Sequence, residues 1–411
     1  MARRDTGTDD ARVRVRANRR GTRPRTKQRP EHADAVDGFV VGVDRGRYQV
    51  LLTPDERGAD AVHATHVVAM KARELGRATA PDPVTGELPP RTIVVGDRVG
   101  LVGDVSGRTD TLARIVRVHP RRTVLRRTAE DSEAQGVERV IVANADQLGV
   151  VTALTDPPPR PRMIDRCLVA AFDAGLDPLL VLTKSDLTSP DALLARYEGL
   201  DVPSVVTSVV TSVAPAAGAE GAGDDGGDGN DDAAPAITGL DELRALLTGR
   251  ITVLVGHSGV GKSTLVNALI PDADRAVGVV NAVTGRGRHT STSAVALPLP
   301  GGGWIVDTPG VRTFGLAHVE PDSLLRAFTD LWDVATAPEP DGCPRGCDHA
   351  ADTLECALDD WALGRESYAP DGPLEPAGDA GRARLASFRR LLAAREGGDG
   401  GPEERGEADE T

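Results

Sequence analysis

The stretch ITVLVGHSGVGKSTLVNALI, residues 251–270, constrains the fold of this 411-residue chain more than any other feature. A run of apolar and β-branched residues leads into the spacing G-x-x-x-x-G-K-S, from Gly256 to Ser263, and a helical pattern follows. Such glycines let backbone N–H groups surround phosphates, and the N-terminus of the next helix favours an anion. The pattern predicts an α/β domain whose phosphate-binding residues are Gly256, His257, Ser258, Gly259, Val260, Gly261, Lys262, Ser263 and Thr264.

The tetrapeptide TKSD follows the strand-like run PLLVL and is predicted to select the base. The Asp186 carboxylate can accept both N–H donors on the edge of guanine, and adenine offers no such pair. The motif therefore predicts GTP and GDP as ligands, bound by Thr183, Lys184, Ser185 and Asp186. After a further strand-like run, VPSVV, Thr207 and Ser208 either supply a backbone contact to the base or belong to an ordinary polar loop.

The segment DTPG ends the strand-like run GGWIV and matches the D-x-x-G element of GTPases. Asp307 is predicted to hold Mg²⁺ through water and the Gly310 amide to contact the γ-phosphate. Lys262 would reach the β- and γ-phosphates, and Ser263 would ligate Mg²⁺.

The polar loop GRGRHTST, residues 285–292, is predicted to close over the nucleotide. Thr290 and Ser291 are the candidate Mg²⁺ ligands in it, with Thr292 a further hydroxyl. Many GTPases place a water-orienting glutamine directly after D-x-x-G, whereas this chain has Val311. His289 is therefore the candidate catalytic residue. The alternatives are a polar hairpin connection for the loop and a packed or exposed histidine within it.

The motifs come in an unusual order, because Asp186 precedes Gly256 and Asp307 comes last. Ordinary GTPases begin with the phosphate-binding loop and reach the guanine-reading motif later. The order predicts a circularly permuted GTPase domain, which a sheet with neighbouring termini tolerates.

Short alternating segments separated by Gly, Pro and Asp occupy the region before the GTPase motifs. They predict an N-terminal β-barrel of the OB-fold type, with a β-sandwich as the alternative. The predicted multidomain organisation is a basic disordered tail (1–34), the barrel (35–125), the permuted GTPase domain (126–318) with an acidic low-complexity insertion (213–236), a helical zinc-binding domain (319–395) and an acidic disordered tail (396–411).

Three cysteines and a histidine crowd together late in the chain in the spacing C-x3-C-x-H-x6-C. Three thiolates and an imidazole complete a tetrahedral structural Zn²⁺ site with no open position. The predicted ligands are Cys343, Cys347, His349 and Cys356. Cys167, in an apolar helical pattern, is predicted to be a buried core thiol.

Charge is unevenly distributed in a chain whose net charge is −14. Two arginine clusters are either solvated faces or a surface for the phosphate backbone of structured RNA, and their place beside a GTPase favours RNA. They comprise Arg114, Arg117, His119, Arg121, Arg122, Arg126 and Arg127, and Arg382, Arg384, Arg389 and Arg390. No run of about 18 apolar residues is present, which predicts a cytoplasmic protein without membrane contact. A monomer is expected.

Taken together, these motifs resemble the ribosome small-subunit-dependent GTPase A family. The phrases VGDRV, RRTVLRR, IDRCLVAAF, GHSGVGKSTLVNAL, GRHTST and DTPGVRTFGL carry the resemblance, which runs from about Gly38 to Leu392. It implies a factor in late assembly of the 30S subunit that contacts 16S rRNA, with GTP hydrolysis stimulated by the subunit and driving release. It also places His289 on a histidine needed for hydrolysis. Ser291 and the cysteine spacing depart from the family pattern.

Two other classes of function remain as rivals. One is a different phosphate-loop enzyme, such as an ATPase or a kinase. The other is an RNA-binding scaffold with a structural nucleotide. Nucleotide selectivity tests the first, and GTP turnover with and without 30S subunits tests the second.

Overall fold

A computed structural model describes the parts of the chain from which the fold follows. These are residues 32–52, 65–73, 75, 92–128, 138–210, 236–270, 294–308, 314, 316, 319–338, 341–351, 353, 355–364, 367–369, 372–374 and 377–396. Residues 35–411 form one unit, separate from residues 1–34, and the description below concerns the larger unit. Residues 1–31 and 397–411 of the two predicted tails, and residues 213–235 of the acidic insertion, lie outside the described residues.

Five short strands close into a barrel at the start of this unit. They are β1 (Val36–Asp44), β2 (Arg47–Leu52), β3 (Thr65–Lys71), β4 (Arg98–Gly103) and β5 (Ala113–Val118). Their order is β1-β2-β3-β5-β4, and β4 pairs back with β1. Only β3 and β5 run parallel to each other. This closed five-stranded barrel is an OB-fold, so the barrel prediction is confirmed and the sandwich alternative is excluded.

The barrel interior is filled by branched aliphatic side chains that alternate with outward-facing residues. Val40, Val50, Val99, Leu101 and Ile115 are completely buried. Period-two alternation places every second residue of a strand on the inner face, which is why these short segments could be recognised as strands.

A buried ion pair fixes the chain where it leaves the barrel. Asp97 is fully buried and accepts hydrogen bonds from the Arg121 guanidinium at 2.7 and 2.8 Å and from the Val94 N–H at 2.8 Å. A hairpin of β6 (Val124–Thr128) and β7 (Glu138–Ala143) then leads into the next domain. The sequence pattern groups Arg121 with the predicted RNA surface, but its guanidinium binds the buried Asp97 carboxylate instead.

The nucleotide-binding domain contains six strands in the order β10-β9-β8-β13-β15-β14. They are β8 (Gln147–Ala153), β9 (Asp177–Thr183), β10 (Ser204–Val206), β13 (Ile251–Val255), β14 (Val295–Pro298) and β15 (Trp304–Asp307). Three strands thus precede the phosphate-binding strand β13, which lies in the middle of the sheet. The circular permutation inferred from motif order is visible in this connectivity.

The sheet is parallel except at one strand. β14 runs antiparallel to β15, whereas the alternating strands and helices of the predicted α/β domain favour a parallel sheet. Only residues 299–303 connect the two strands, and a parallel pair needs a crossover of a dozen residues or more. β14 also pairs with β1 at Gly42 and Val295, so the barrel and this domain share one eleven-stranded sheet.

Helices cover both faces of the parallel strands. These are α1 (Pro161–Asp173), α2 (Asp191–Tyr197), α3 (Leu240–Leu247) and α4 (Lys262–Leu269). Leu254 packs in one hydrophobic cluster with residues of α3 and α4, while Val253 and Val255 point into a second cluster with residues of α1. Burial on both faces explains the continuous apolar runs of β8, β9 and β13. A small pair, β11 (Ser208–Val210) and β12 (Ala236–Thr238), flanks the insertion.

The C-terminal region is mainly helical and completes the core beside α1. Its helices are α5 (Pro321–Leu325), α6 (Thr329–Ala335), α7 (Ala357–Ala362) and α8 (Asp379–Glu396), with a hairpin of β16 (Ser367–Ala369) and β17 (Gly372–Leu374). Phe388 of α8 meets Phe328 edge to face at 5.5 Å between ring centroids. Among the described helices, none has both the length and the apolar character needed to cross a membrane.

The arginines of α8 pair with acidic groups of the chain itself. Arg382 contacts Asp379, Arg384 contacts Asp330 and Asp201, Arg389 contacts Asp359, and Arg390 contacts Asp165. The side chains of Arg384, Arg389 and Arg390 are only 18%, 18% and 25% exposed. The assignment of these three residues to an RNA surface is therefore wrong, because they anchor α8 to the molecule.

Candidate guanine-nucleotide site and metal centre

The predicted phosphate-binding loop joins the carboxyl end of β13 to the N-terminus of α4. A Cβ at Gly256 would lie 2.5 Å from the Val151 carbonyl oxygen, so only glycine allows β13 and β8 to approach this closely. Gly261, just before α4, has φ +87°, a conformation that residues with a Cβ rarely adopt. Both motif glycines are thus required by backbone geometry, and the α4 N–H groups face the loop.

The predicted guanine-reading loop is attached directly to the phosphate-binding loop. Thr183, at the end of β9, is 5% exposed and donates a hydrogen bond of 2.7 Å to the Val260 carbonyl. Asp186 is exposed further along the same loop. The hydrogen bond between Thr183 and Val260 therefore links the loop that carries Asp186 to the loop that leads into Lys262.

Thr207 lies against the guanine-reading loop, as one of the two sequence interpretations requires. The Ser185 N–H and hydroxyl both lie 3.3 Å from the Thr207 carbonyl oxygen, and Thr207 N–H donates to the Leu182 carbonyl at 2.7 Å. Ser208 begins β11 and pairs with Thr238. The carboxyl ends of β9, β10 and β13 therefore place residues 183–186, 207–208 and 256–264 along one edge of the sheet.

Lys262 and Asp307 meet at the same edge. The Lys262 ammonium contacts the Asp307 carboxylate, and both side chains are partly buried. β13 and β15 are adjacent and parallel, which is why motifs 45 residues apart come together. An ammonium, a carboxylate and the exposed Ser263 hydroxyl are the groups expected around a phosphate-bound Mg²⁺, and hard oxygen donors fit that ion.

One wall of the site was missed by sequence reasoning. The Lys184 ammonium contacts the Asp156 carbonyl oxygen, and Lys184 has φ +61°. Pro157 Cδ lies 3.5 Å from the position that a Cβ on Gly259 would occupy. The loop after β8 therefore borders both motif loops. Its Pro-rich composition, TDPPPRP, marks a rigid connection but carries no signal for what that connection touches.

Four predicted site residues cannot be located. His289, Thr290, Ser291 and Gly310 lie outside the described residues. The chain is described again at Phe314, whose carbonyl accepts a hydrogen bond of 2.8 Å from Arg166 of α1. Further on, the Val319 carbonyl accepts from Arg395 of α8 at 3.1 Å. The segment that follows D-x-x-G is thus attached to α1 and to α8.

The four predicted zinc ligands form a cluster whose ligand atoms all lie within 4.8 Å of one another. Cys343 Sγ lies 3.9 Å from Cys356 Sγ and 3.5 Å from His349 Nδ1. A tetrahedral zinc ion with Zn–S of about 2.3 Å and Zn–N of about 2.0–2.1 Å separates two sulfurs by about 3.8 Å and sulfur from nitrogen by about 3.6 Å. The cluster therefore fits a zinc ion, with Nδ1 of His349 as the ligating atom.

The surroundings of the cluster suit a bound cation. His349 Nε2 lies 3.6 Å from an Asp322 carboxylate oxygen, and carboxylates commonly stand behind ligating histidines. A hydrogen bond with Cys356, together with burial, raises the pKa of the Cys343 thiol, and burial raises the pKa of Cys347. Binding of a metal must displace these protons, so zinc affinity falls as the solution becomes more acidic.

The fold and the nucleotide site together define a circularly permuted GTPase of the phosphate-loop class, preceded by an OB barrel and followed by a Cys3His cluster. The family model described as RsgA GTPase matches residues 118–216 and 233–317. A small ribosomal subunit biogenesis GTPase RsgA of Pseudomonas aeruginosa (strain UCBPP-PA14) is 35% identical over 309 residues, which cover 74% of this chain and 76% of that protein. The protein of the same name from Azotobacter vinelandii (strain DJ) is 33% identical over 354 residues, covering 84% and 87%. The chain belongs to the RsgA GTPase family and is a GTP hydrolase.

Two solved structures share the fold. YjeQ from Thermotoga maritima has a TM-score of 0.54 at 23% identity, with 88% of this chain and 98% of that chain covered. YloQ, described as a circularly permuted GTPase, has a TM-score of 0.53 at 18% identity, with 90% and 98% covered.

Proposed function

We propose that this GTPase binds the small ribosomal subunit and acts in its late assembly. GTP holds it on the particle, and hydrolysis, stimulated by the subunit, releases it. The relatives from Pseudomonas aeruginosa and Azotobacter vinelandii are named small ribosomal subunit biogenesis GTPases, which supports the choice of particle. The observation that carries the GTPase part is the Thr183–Val260 hydrogen bond, which joins a guanine-reading loop to a phosphate-binding loop.

The roles of the nucleotide-site residues follow from where their strands end. Asp186 reads the guanine edge, with Lys184 and the Thr207–Ser208 backbone beside the base. Backbone N–H groups of residues 256–264 and the Lys262 ammonium hold the phosphates. Ser263 and Asp307 would hold Mg²⁺, and the Gly310 amide would contact the γ-phosphate. Mg²⁺ supplies neutralisation of phosphate charge when bound.

Hydrolysis is assigned to the loop that carries His289. A histidine there can orient or deprotonate water, and Val311 cannot. Thr290 or Ser291 completes the Mg²⁺ coordination from the same loop. Both assignments predict slow turnover by the protein alone and faster turnover with a partner, by the same logic as trans-activation of other GTPases.

The contact with 16S rRNA is assigned to the barrel side of the molecule. Arg114, Arg117 and Arg126 are exposed there, whereas three arginines of α8 are engaged internally. Exposed guanidinium groups bind phosphate backbones without reading sequence. We further propose the domain limits given above, a structural Zn²⁺ ion in the Cys3His cluster, a monomer, and action in the cytoplasm.

Steady-state GTP turnover with and without purified 30S subunits tests the proposal. Subunits should raise the rate by at least tenfold, and 50S subunits are the matched control. A rate that 30S subunits leave unchanged would favour a scaffold with a structural nucleotide and overturn the proposal.

Asp186→Asn tests base reading independently of the ribosome. The amide offers a donor where guanine also donates, so the variant should lose GTP binding and gain binding of xanthosine triphosphate. Unchanged nucleotide selectivity would place the chain among the ATPases or kinases.

A further inference from the structure

The loop that carries the zinc ligands has little regular structure of its own. It runs from Cys343 to Cys356, the residue just before α7, and its described residues lie outside any helix or strand. His349 has φ +58°, a left-handed conformation that non-glycine residues rarely adopt. Such a backbone needs partners outside the loop to hold it in one arrangement.

Arg389 of α8 supplies several of these partners from one side chain. Its Nε donates to the carbonyl of His349 at 3.2 Å, and Nη2 donates to the carbonyl of Ala350 at 3.4 Å. The same Nη2 lies 4.0 Å from the Sγ of Cys356. Arg389 therefore contacts the main chain at one predicted ligand and the sulfur atom of another.

A second set of bonds orients the guanidinium. Asp359 of α7 accepts from Nη1 at 2.6 Å and from Nη2 at 2.8 Å, the two-point geometry that arginine and carboxylate favour. The side chain of Arg389 is 18% exposed. Its orientation toward the ligand loop is thus fixed by a partner on a different element.

Charge supports the same arrangement. Three thiolates, a neutral imidazole and Zn²⁺ carry a net charge of about −1. A partly buried anion of this kind is stabilised by a cation within a few ångströms. The guanidinium stands between this anion and the Asp359 carboxylate.

We propose that Arg389 is a positioning residue of the metal centre, which holds His349 in its ligating backbone conformation and stabilises the Cys356 thiolate. This inference rests on the proposed zinc site and is independent of nucleotide and ribosome binding. Partners of this kind behind metal ligands typically change metal affinity by 10–100-fold when removed.

Zinc release tests the inference, with Arg384→Gln as the matched control for Arg389→Gln. Arg384 lies on the same helix and is equally exposed at 18%, and its partners are Asp330 and Asp201 rather than the ligand loop. The full-length variants are loaded with zinc, and release to a chromogenic chelator is followed at neutral pH. Arg389→Gln should release zinc about 10–100 times faster than the parent protein, while Arg384→Gln should stay within about threefold.

A Co²⁺-loaded sample adds a readout that a purely structural role would not change. Removing a cation beside a thiolate should shift the sulfur-to-cobalt charge-transfer band in Arg389→Gln and leave it in place in Arg384→Gln. Arg389→Lys retains the positive charge but not the two-point hydrogen-bond geometry of the guanidinium, so it should give an intermediate rate of zinc release. If Arg389→Gln does not fold, Arg389→Lys takes its place.

Each result has a definite meaning. Equal release rates and unshifted bands for the two helix variants would overturn the role of Arg389. A parent protein that binds less than one zinc ion per chain would overturn the metal site itself.

Discussion

The buried hydroxyl of Thr183 links the predicted guanine-reading loop to the phosphate-binding loop. It joins the ends of β9 and β13, and nothing in the tetrapeptide TKSD signals that its first residue bonds to the other loop. A hydrogen bond of this kind contributes about 1 kcal/mol. Loss of the Thr183–Val260 hydrogen bond should therefore weaken nucleotide binding, because the two loops would no longer be held together.

Thr183→Val should raise the Kd for GDP about fivefold, the equivalent of about 1 kcal/mol. Titration with a fluorescent GDP analogue measures this. Thr252→Val is the control, since Thr252 is also buried and bonds to Gln147 Oε1 at 3.0 Å, at the opposite end of β13. If both variants weaken binding equally, the Thr183 bond has no special role.

Cys167 should be unreactive toward alkylating agents in the folded protein. Burial raises the pKa of its thiol to about 12, so hardly any thiolate exists at neutral pH. In the folded protein, iodoacetamide should leave Cys167 unmodified until urea is added. Peptide mass spectrometry gives the result, and early modification of Cys167 would contradict its burial.

Much of the site could be predicted because its motifs are local. The glycine spacing around Lys262 and the position of Asp186 after an apolar run can each be recognised within a short continuous stretch of sequence. The contact between Lys184 and Asp156 could not be predicted, because it depends on how the loop after β8 folds back. Contacts between loops arise from tertiary structure, for which a single sequence carries no direct pattern.

At the scale of elements, α8 shows where sequence reasoning failed. Clustered arginines on a helix are compatible with a nucleic-acid surface and with internal ion pairs, and only the partners decide between them. Asp165, Asp201, Asp330 and Asp359 come from distant parts of the chain. The antiparallel β14 was missed for a related reason, since a four-residue strand has too short a pattern to reveal its direction.

The contact between Arg390 and Asp165 should be a main anchor of α8. The Asp165 side chain is 4% exposed, and burial raises the pKa of its carboxyl although Arg390 and Arg196 act to lower it. Removing one partner leaves a buried charge with less compensation. Arg390→Gln should lower the free energy of unfolding by about 2 kcal/mol at pH 7, a value reduced from that of a fully buried pair because Arg390 is a quarter exposed.

The pH dependence of this loss provides the check. An acid whose pKa is raised in the folded state costs stability as the pH rises through that pKa, and the cost grows when Arg390 is absent. The difference between variant and parent should therefore shrink as the pH is lowered from 7 through the raised pKa of Asp165, because the protonated carboxyl no longer attracts Arg390. Urea unfolding at a series of pH values from 7 downward measures it, and a difference that does not depend on pH would argue against the ion pair.

Across the molecule, the barrel and the GTPase domain share one β-sheet and one hydrophobic cluster. β1 pairs with β14, and Phe39 of the barrel lies 5.1 Å from Trp304 of β15 between ring centroids. Phe39, Val41 and Leu51 belong to the same hydrophobic cluster as residues of α1. Shared packing of this kind predicts that the two parts unfold together.

Saturating GDP should therefore protect the barrel as well as its own site. At 100 times the Kd, a ligand that binds only the folded state adds about 2.7 kcal/mol to stability. Hydrogen exchange of peptides from residues 36–52, measured across a urea series, should shift to higher urea with GDP. Protection confined to peptides of the nucleotide site would mean that the barrel opens independently.

The β1–β14 pairing also bears on how this protein can be dissected. β14 is a short strand whose one side is covered by β15 and whose other side meets the barrel. A truncated chain that begins after the barrel would leave open the strand margin at Val295, which pairs with Gly42 in the full chain. An exposed strand edge can pair with other chains, so such a fragment would self-associate. Deleting residues 36–118 would therefore change the solubility of the protein before its effect on catalysis could be measured.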